Sequence, residues 1–98
     1  MNEMYKRIKM SSTTQNIGGG APAVLNYYMI VNRGADGEEY GCEVELIRPD
    51  AAEKNETSRI YGISPEKEWV ERLIGRLSAG AVTPCTLYDI VYDHISEQ

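Results

Sequence analysis

His94 is the only histidine of the chain and the first candidate for chemistry. A Ser-His-Asp or Cys-His site needs a nucleophile and an orienting group beside the histidine. Asp93 precedes His94 directly, but adjacent residues of a helix point about 100° apart. Cys85 lies nine positions earlier, which is roughly 13 Å along a helix axis. The sequence therefore predicts that His94 is a non-catalytic residue that interacts with the dipole at a helix C-terminus.

The cysteines and the acidic turn offer no metal-ligand pattern. Cys42 and Cys85 are isolated in the sequence and match neither Cys-x-x-Cys nor a zinc-ligand set. The segment Asp36-Gly37-Glu38-Glu39 lacks the pattern of a calcium-binding loop and is typical of a solvated hairpin turn. We therefore expect no metal, no cofactor and two reduced thiols.

Acidic side chains recur with regular spacing on two segments. Asp89, Asp93 and Glu97 are four residues apart and would form one stripe on a helix. Glu43 and Glu45 alternate with apolar residues and would form a second row on the exposed face of a sheet. If both rows shared a face, they would present carboxylates spaced somewhat like phosphates to a nucleic-acid-binding groove on another protein. Each row could equally be an ordinary solvated surface.

Tyrosine is abundant, with seven residues and no phenylalanine. Tyr88 and Tyr92 are four residues apart beside the acidic stripe, where their rings could anchor a protein interface or simply border the core. Tyrosines on the strands could stack nucleic-acid bases, but the lack of lysine or arginine beside them argues against it. The formal net charge of -5 also argues against direct binding to nucleic acid or to an anionic membrane.

Charge and glycine content divide the 98 residues into two parts. Residues 1–23 carry three bases and one acid, a net charge of +2, and contain the run Gly18-Gly19-Gly20. They predict a flexible basic tail with a glycine-rich linker. Residues 24–98 carry seven bases and fourteen acids, a net charge of -7. They predict one acidic domain.

The periodicity of this domain predicts its elements. Alternating segments at 24–31, 40–48 and 57–63 are typical of strands, and Asp36-Gly37 is typical of a hairpin turn. Ser64-Pro65 and Thr83-Pro84 are typical helix starts. The order β-β-β-α-α predicts an α+β fold, a three-stranded antiparallel meander with two helices packed on one face. The second helix would bury Leu87, Ile90, Val91 and Ile95.

The last of these segments also carries a recognisable motif. Residues 83–93 follow the pattern Ser/Thr-Pro-x-x-Leu-x-Asp-Val-Val-x-Asp, with isoleucine at the first valine position. Tyr40-Gly41 and Ile63-Ser64 match two shorter motifs. On these residues, the stretch from about 27 to 95 resembles a family of small uncharacterised bacterial proteins. The resemblance implies no activity, cofactor or catalytic residue, but it implies that Asp89 and Asp93 belong to a shared pattern.

Small size, an acidic domain and the absence of a catalytic set favour a non-enzymatic binding protein. Its partner would be a protein with a basic surface. A specific form of this hypothesis is an inhibitor of a nucleic-acid enzyme, similar to the anti-CRISPR proteins of phages and mobile elements. The predicted contact residues are Glu43, Glu45, Tyr88, Asp89, Tyr92, Asp93 and Glu97.

Two alternatives remain open. The first is a regulatory or structural homodimer. The second is an enzyme that uses Asp89 or Asp93 as an acid or base, assisted by Tyr88 or Tyr92. The basic N-terminus is not followed by an apolar secretion segment, and no apolar run approaches the length that spans a bilayer. We therefore expect a cytoplasmic protein without membrane contact.

Overall fold

A computed structural model describes residues 5–16 and 21–96. Its strands are β1 (Tyr5–Gln15), β2 (Ala23–Gly34), β3 (Gly37–Ile47) and β4 (Glu56–Ser64), and its helices are α1 (Lys67–Ala79) and α2 (Leu87–Ser96). Short 3₁₀ turns at Ala52–Lys54 and Pro84–Thr86 precede β4 and α2. The chain therefore builds an α+β fold in which the strands come first and the helices follow.

The described strands form one antiparallel sheet in the order β1-β2-β3-β4. The prediction of three strands is wrong, because β1 pairs with β2 from Tyr5 opposite Asn32 to Gln15 opposite Ala23. The segment predicted as a basic tail thus supplies an outer strand from Tyr5 to Gln15. The glycine run at 18–20, which was predicted as a linker, lies outside the described residues.

The core lies between one face of the sheet and the two helices. Successive residues of a strand point to opposite faces, so every second residue of β2 and β3 points into the core. Examples are Leu25 and Tyr27 on β2 and Cys42 and Val44 on β3. All four are fully buried. The helices complete this core with Val70, Leu73, Ile74, Leu77, Leu87 and Val91.

Burial changes the chemistry of two core side chains. It raises the pKa of the Tyr27 hydroxyl to about 12, and this hydroxyl donates to the Val82 carbonyl oxygen at 2.9 Å. Burial likewise raises the pKa of the Cys42 thiol to about 12. Both groups are therefore protonated structural groups at neutral pH, and the Tyr27 bond ties the centre of the sheet to the segment that leads into α2.

The second helix packs less deeply than its sequence predicts. Only Leu87 and Val91 of α2 are buried. Ile90 and Ile95 remain 36% and 38% exposed, so the prediction that both lie in the core is wrong. A ten-residue helix that contacts the sheet along one narrow line covers only the side chains on that line, and its flanks stay in solvent.

Candidate binding surfaces

The exposed side of α2 carries a pair of tyrosines. Tyr88 and Tyr92 are 48% and 53% exposed, and their rings stack with centroids 6.0 Å apart and planes 24° apart. The Tyr88 hydroxyl donates to the Arg59 carbonyl oxygen of β4 at 3.0 Å. The pair is therefore oriented by a contact with the sheet, while about half of each ring remains open to a partner.

Two carboxylates lie beside these rings. Asp89 and Asp93 are exposed, and neither forms an ion pair or hydrogen bond with a residue in the described part of the chain. We call Tyr88, Asp89, Tyr92 and Asp93 the α2 surface. The structure brings these four predicted residues together on one helix, whereas Glu97, the third member of the acidic stripe, lies outside the described residues.

Glu43 does not belong to an exposed acidic row. Its side chain is 1% exposed, and each of its oxygens accepts from a different arginine. Oε2 accepts from Arg7 Nε at 3.1 Å and Nη2 at 2.7 Å, and Oε1 accepts from Arg59 Nε at 2.5 Å. The expectation of a free Glu43 is therefore corrected, because two guanidinium groups cover and neutralise this carboxylate.

Glu45, the other member of that row, is half-buried. Its Oε1 accepts from Asn26 Nδ2 at 3.1 Å and from the Tyr28 hydroxyl at 3.0 Å. Burial, followed by this hydrogen bond, raises the pKa of Tyr28. Because Glu43 and Glu45 alternate with the core residues of β3, they face away from the helices. Glu43 and Glu45 thus lie on the opposite face of the sheet from Asp89 and Asp93.

The helix-free face of the sheet is covered by its own aromatic and arginine side chains. Arg7 lies 4.0 Å from the Tyr28 ring centroid, and Arg59 lies 5.1 Å from that of Tyr5. The rings of Tyr5 and Tyr61 meet edge to face at 5.3 Å, although they come from the two outermost strands. Such strands are about 14 Å apart in a flat sheet, so the two tyrosine side chains extend across this face toward each other.

The sequence does not predict this network, because Arg7 lies in the segment predicted as a tail. Burial lowers the pKa of the Arg7 guanidinium, but the hydrogen bond and negative charge of Glu43 outweigh it, so the pKa is raised. The same balance raises the pKa of Arg59. A signal for β1 was present in the alternation of Tyr5, Arg7 and Lys9 with Ile8, which is typical of a strand with one charged face.

A groove separates the outer strand β1 from α1. It has a volume of about 410 Å³ and is lined by Met10, Ser11, Glu71, Ile74, Gly75, Ser78 and Ala79. At one point the Ser11 and Ser78 hydroxyls hydrogen-bond to each other at 2.6 Å. The sequence does not predict this groove, since its β1 wall comes from the segment predicted as a tail.

The remaining chemistry-bearing residues are dispersed. His94 is half-buried on α2, and Cys85 is exposed in the preceding 3₁₀ turn. Within residues 5–16 and 21–96, no group of three or more His, Cys, Asp or Glu side chains is arranged to hold a metal ion. Over the same ranges, none of the helices is both long and apolar enough to cross a membrane.

Together, the fold and these surfaces define a small two-layer α+β domain with a tyrosine-bearing helix on its surface. The chain belongs to a family of unknown function, DUF6514, which matches residues 5–97. The match begins at the first residue of β1, which places the outer strand inside the family's domain. Neither a curated protein nor a solved structure matches the chain.

Proposed function

We propose that this protein is a protein-binding module that contacts the basic surface of a partner protein through the α2 surface. The observation that supports this most strongly is the stacked, half-exposed pair Tyr88 and Tyr92 beside Asp89 and Asp93, whose carboxylates have no ion-pair partner among residues 5–16 and 21–96. An ordinary solvated helix face does not require aromatic rings held in this way.

The side-chain chemistry of the α2 surface favours an arginine-rich partner. A tyrosine ring buries a large apolar area at little entropic cost and attracts a guanidinium group over its face. Asp89 and Asp93 can accept charge-assisted hydrogen bonds from the same groups, and the net charge of -5 would accelerate the encounter with a basic surface.

The proposal concerns contact with a basic protein and leaves the identity of that protein open. The hypothesis of a nucleic-acid mimic depended on two acidic rows that share a face. Since Glu43 is paired within the fold and α2 lies on the other side of the sheet, the α2 surface alone supports the proposal.

A photocrosslinking experiment tests the contact. Tyr92 is replaced by p-benzoylphenylalanine in the source cells, and crosslinked products are identified by mass spectrometry. The control carries the same probe at Arg72, an exposed position on α1. We expect a discrete product only from position 92. The proposal fails if position 92 gives no product, or if both positions give the same products.

Affinity measurements on the identified partner then test the chemistry. Tyr92→Ala and the double variant Asp89→Asn/Asp93→Asn should each weaken binding by about tenfold or more. Tyr61→Ala is the matched control, since Tyr61 is 49% exposed on the opposite face of the sheet, and it should leave the Kd unchanged. Equal effects of Tyr92→Ala and Tyr61→Ala would contradict the proposal.

A further inference from the structure

Within the described part of the chain, no strand lies beside the outer edge of β1 from Lys6 to Gln15. This strand has eleven residues and pairs only with β2 among the strands of residues 5–16 and 21–96. In that same part of the chain, no loop or turn forms a backbone hydrogen bond with it. Half of its N–H and C=O groups therefore face outward, which is the template that an added strand needs.

The groove described above continues this edge on the helix side. Ile8 and Met10 are exposed apolar side chains of β1, and Ile74 and Gly75 form the facing wall on α1. A Cβ at Gly75 would meet no atom within 4 Å, so the helix leaves space at this point. A strand added to β1 would direct every second side chain into this space.

The other face of β1 is cationic. Arg7 and Lys9 pair with Ile30 and Tyr28 of β2 and lie on the sheet face that points away from the helices. Lys9 is exposed and forms no ion pair with the described residues. On the groove side, the carboxylate of Glu71 disfavours an acidic side chain of the added strand and favours an apolar one. Beside the groove, at Ile8 and Met10, the edge thus presents an apolar side and a basic side to the same added strand, while Lys6 lies further along on the helix side.

We infer that this edge binds an extended peptide in which apolar and acidic residues alternate, by addition of a strand to β1. Its apolar side chains occupy the groove between Met10 and Gly75, and its acidic side chains face Lys9. The occupant is a segment of another protein, and the site is separate from the α2 surface, because β1 and β4 are opposite edges of the sheet and α2 contacts β4.

The test uses the peptide Glu-Val-Glu-Val-Glu-Val-Glu as the probe, titrated into ¹⁵N-labelled protein up to about 1 mM, a range that detects weak peptide binding. We expect amide shift changes confined to β1 and the groove side of α1, and slower hydrogen exchange at outward amides of β1. The peptide with its central valine replaced by proline should bind at least about tenfold more weakly, since proline removes a backbone donor.

Variants of the protein separate the two sides of the site. Gly75→Leu fills the groove while it raises helix propensity, and should weaken binding by roughly tenfold. Its matched control is Arg72→Leu, the same side chain on the same helix outside the groove, which should bind normally. Lys9→Gln removes charge without filling space, and should weaken binding about threefold and reduce its salt dependence.

Three outcomes would overturn the inference. One is the absence of shift changes at β1, and another is equal binding of a Lys-Val alternating peptide. The third is a set of β1 shift changes that appear when the protein alone is concentrated, because this would identify a second copy of the chain as the occupant of the edge.

Discussion

At the scale of single residues, Glu43 shows how a charged group can hold together a sheet face that no helix covers. A carboxylate that is 1% exposed is costly unless its charge is compensated. Arg7 from β1 and Arg59 from β4 provide this compensation, while their guanidinium groups contact tyrosine rings. The network therefore links both outer strands to the centre of the sheet.

Replacing Glu43 should strongly destabilise the protein. In Glu43→Ala, Arg7 and Arg59, whose side chains are 36% and 31% exposed, lose their shared carboxylate and repel each other, and the loss of these charge-assisted hydrogen bonds costs about 2 kcal/mol or more. Glu43→Gln retains an acceptor but no charge, and should cost less. The free energy of unfolding from urea titration checks both variants.

Glu53→Ala is the control for this prediction, since Glu53 is exposed in a 3₁₀ turn, and its effect should stay within about 0.5 kcal/mol. If Glu43→Ala were as mild as this control, the network would be a surface feature without structural importance.

At the scale of elements, apolar periodicity predicts the strands and the helix that cover the core, but it does not predict the outer strand β1. The strands β2 and β3 and the helix α1 follow apolar patterns with periods of two and 3.6, and all three are present. The strand β1 has few apolar residues besides Ile8 and Met10, because an outer strand has little core to cover. Its lysines and its serine and threonine run looked like a tail but are typical of a protected edge.

The residues of the candidate surfaces likewise divide into those that the sequence predicts and those that it does not. The residues of the α2 surface could be predicted, because helical spacing places Tyr88 and Tyr92 side by side. The fate of Glu43 could not, since its two partners are 36 residues before and 16 residues after it in the chain. Which side chains meet across a sheet depends on the register of its strands. The partners of Glu43 could not be predicted, because the sequence pattern does not predict β1 as a strand.

The same glycine-to-alanine change should have opposite effects in the two element types. Gly41 lies where the β3–β4 register shifts, and a Cβ there would overlap the Ile60 carbonyl oxygen. Gly41→Ala should therefore destabilise the protein by about 2 kcal/mol or more. Gly75→Ala meets open space on a helix and should stabilise it by up to about 1 kcal/mol. Thermal unfolding of both variants checks the pair, and a shift of the same sign in both would contradict this description of the two sites.

At the scale of the whole molecule, the domain is thin, with extents of 47 × 37 × 18 Å. One layer of helices covers one face, and within residues 5–16 and 21–96 the other face is covered by side chains of the sheet itself. A domain of this size buries a modest fraction of its surface, so it depends on every strand. The strand β1 pairs with β2 along its length. It also provides Arg7, which donates to Glu43, and Ser11, which hydrogen-bonds to Ser78 of α1.

Removal of residues 1–15 should therefore abolish cooperative folding, whereas a tail could be removed without effect. The truncated chain would expose the backbone of β2, a strand with a fully buried apolar face, and would leave Glu43 with one arginine. We expect a broad thermal transition by circular dichroism and association in size-exclusion chromatography. Adding a peptide of residues 5–15 should restore a sharp transition in a concentration-dependent way, because the peptide rebuilds the same ladder. A truncated chain that melts as sharply as the full chain, at the same temperature, would show that β1 is dispensable for the fold and that the sheet is complete with three strands.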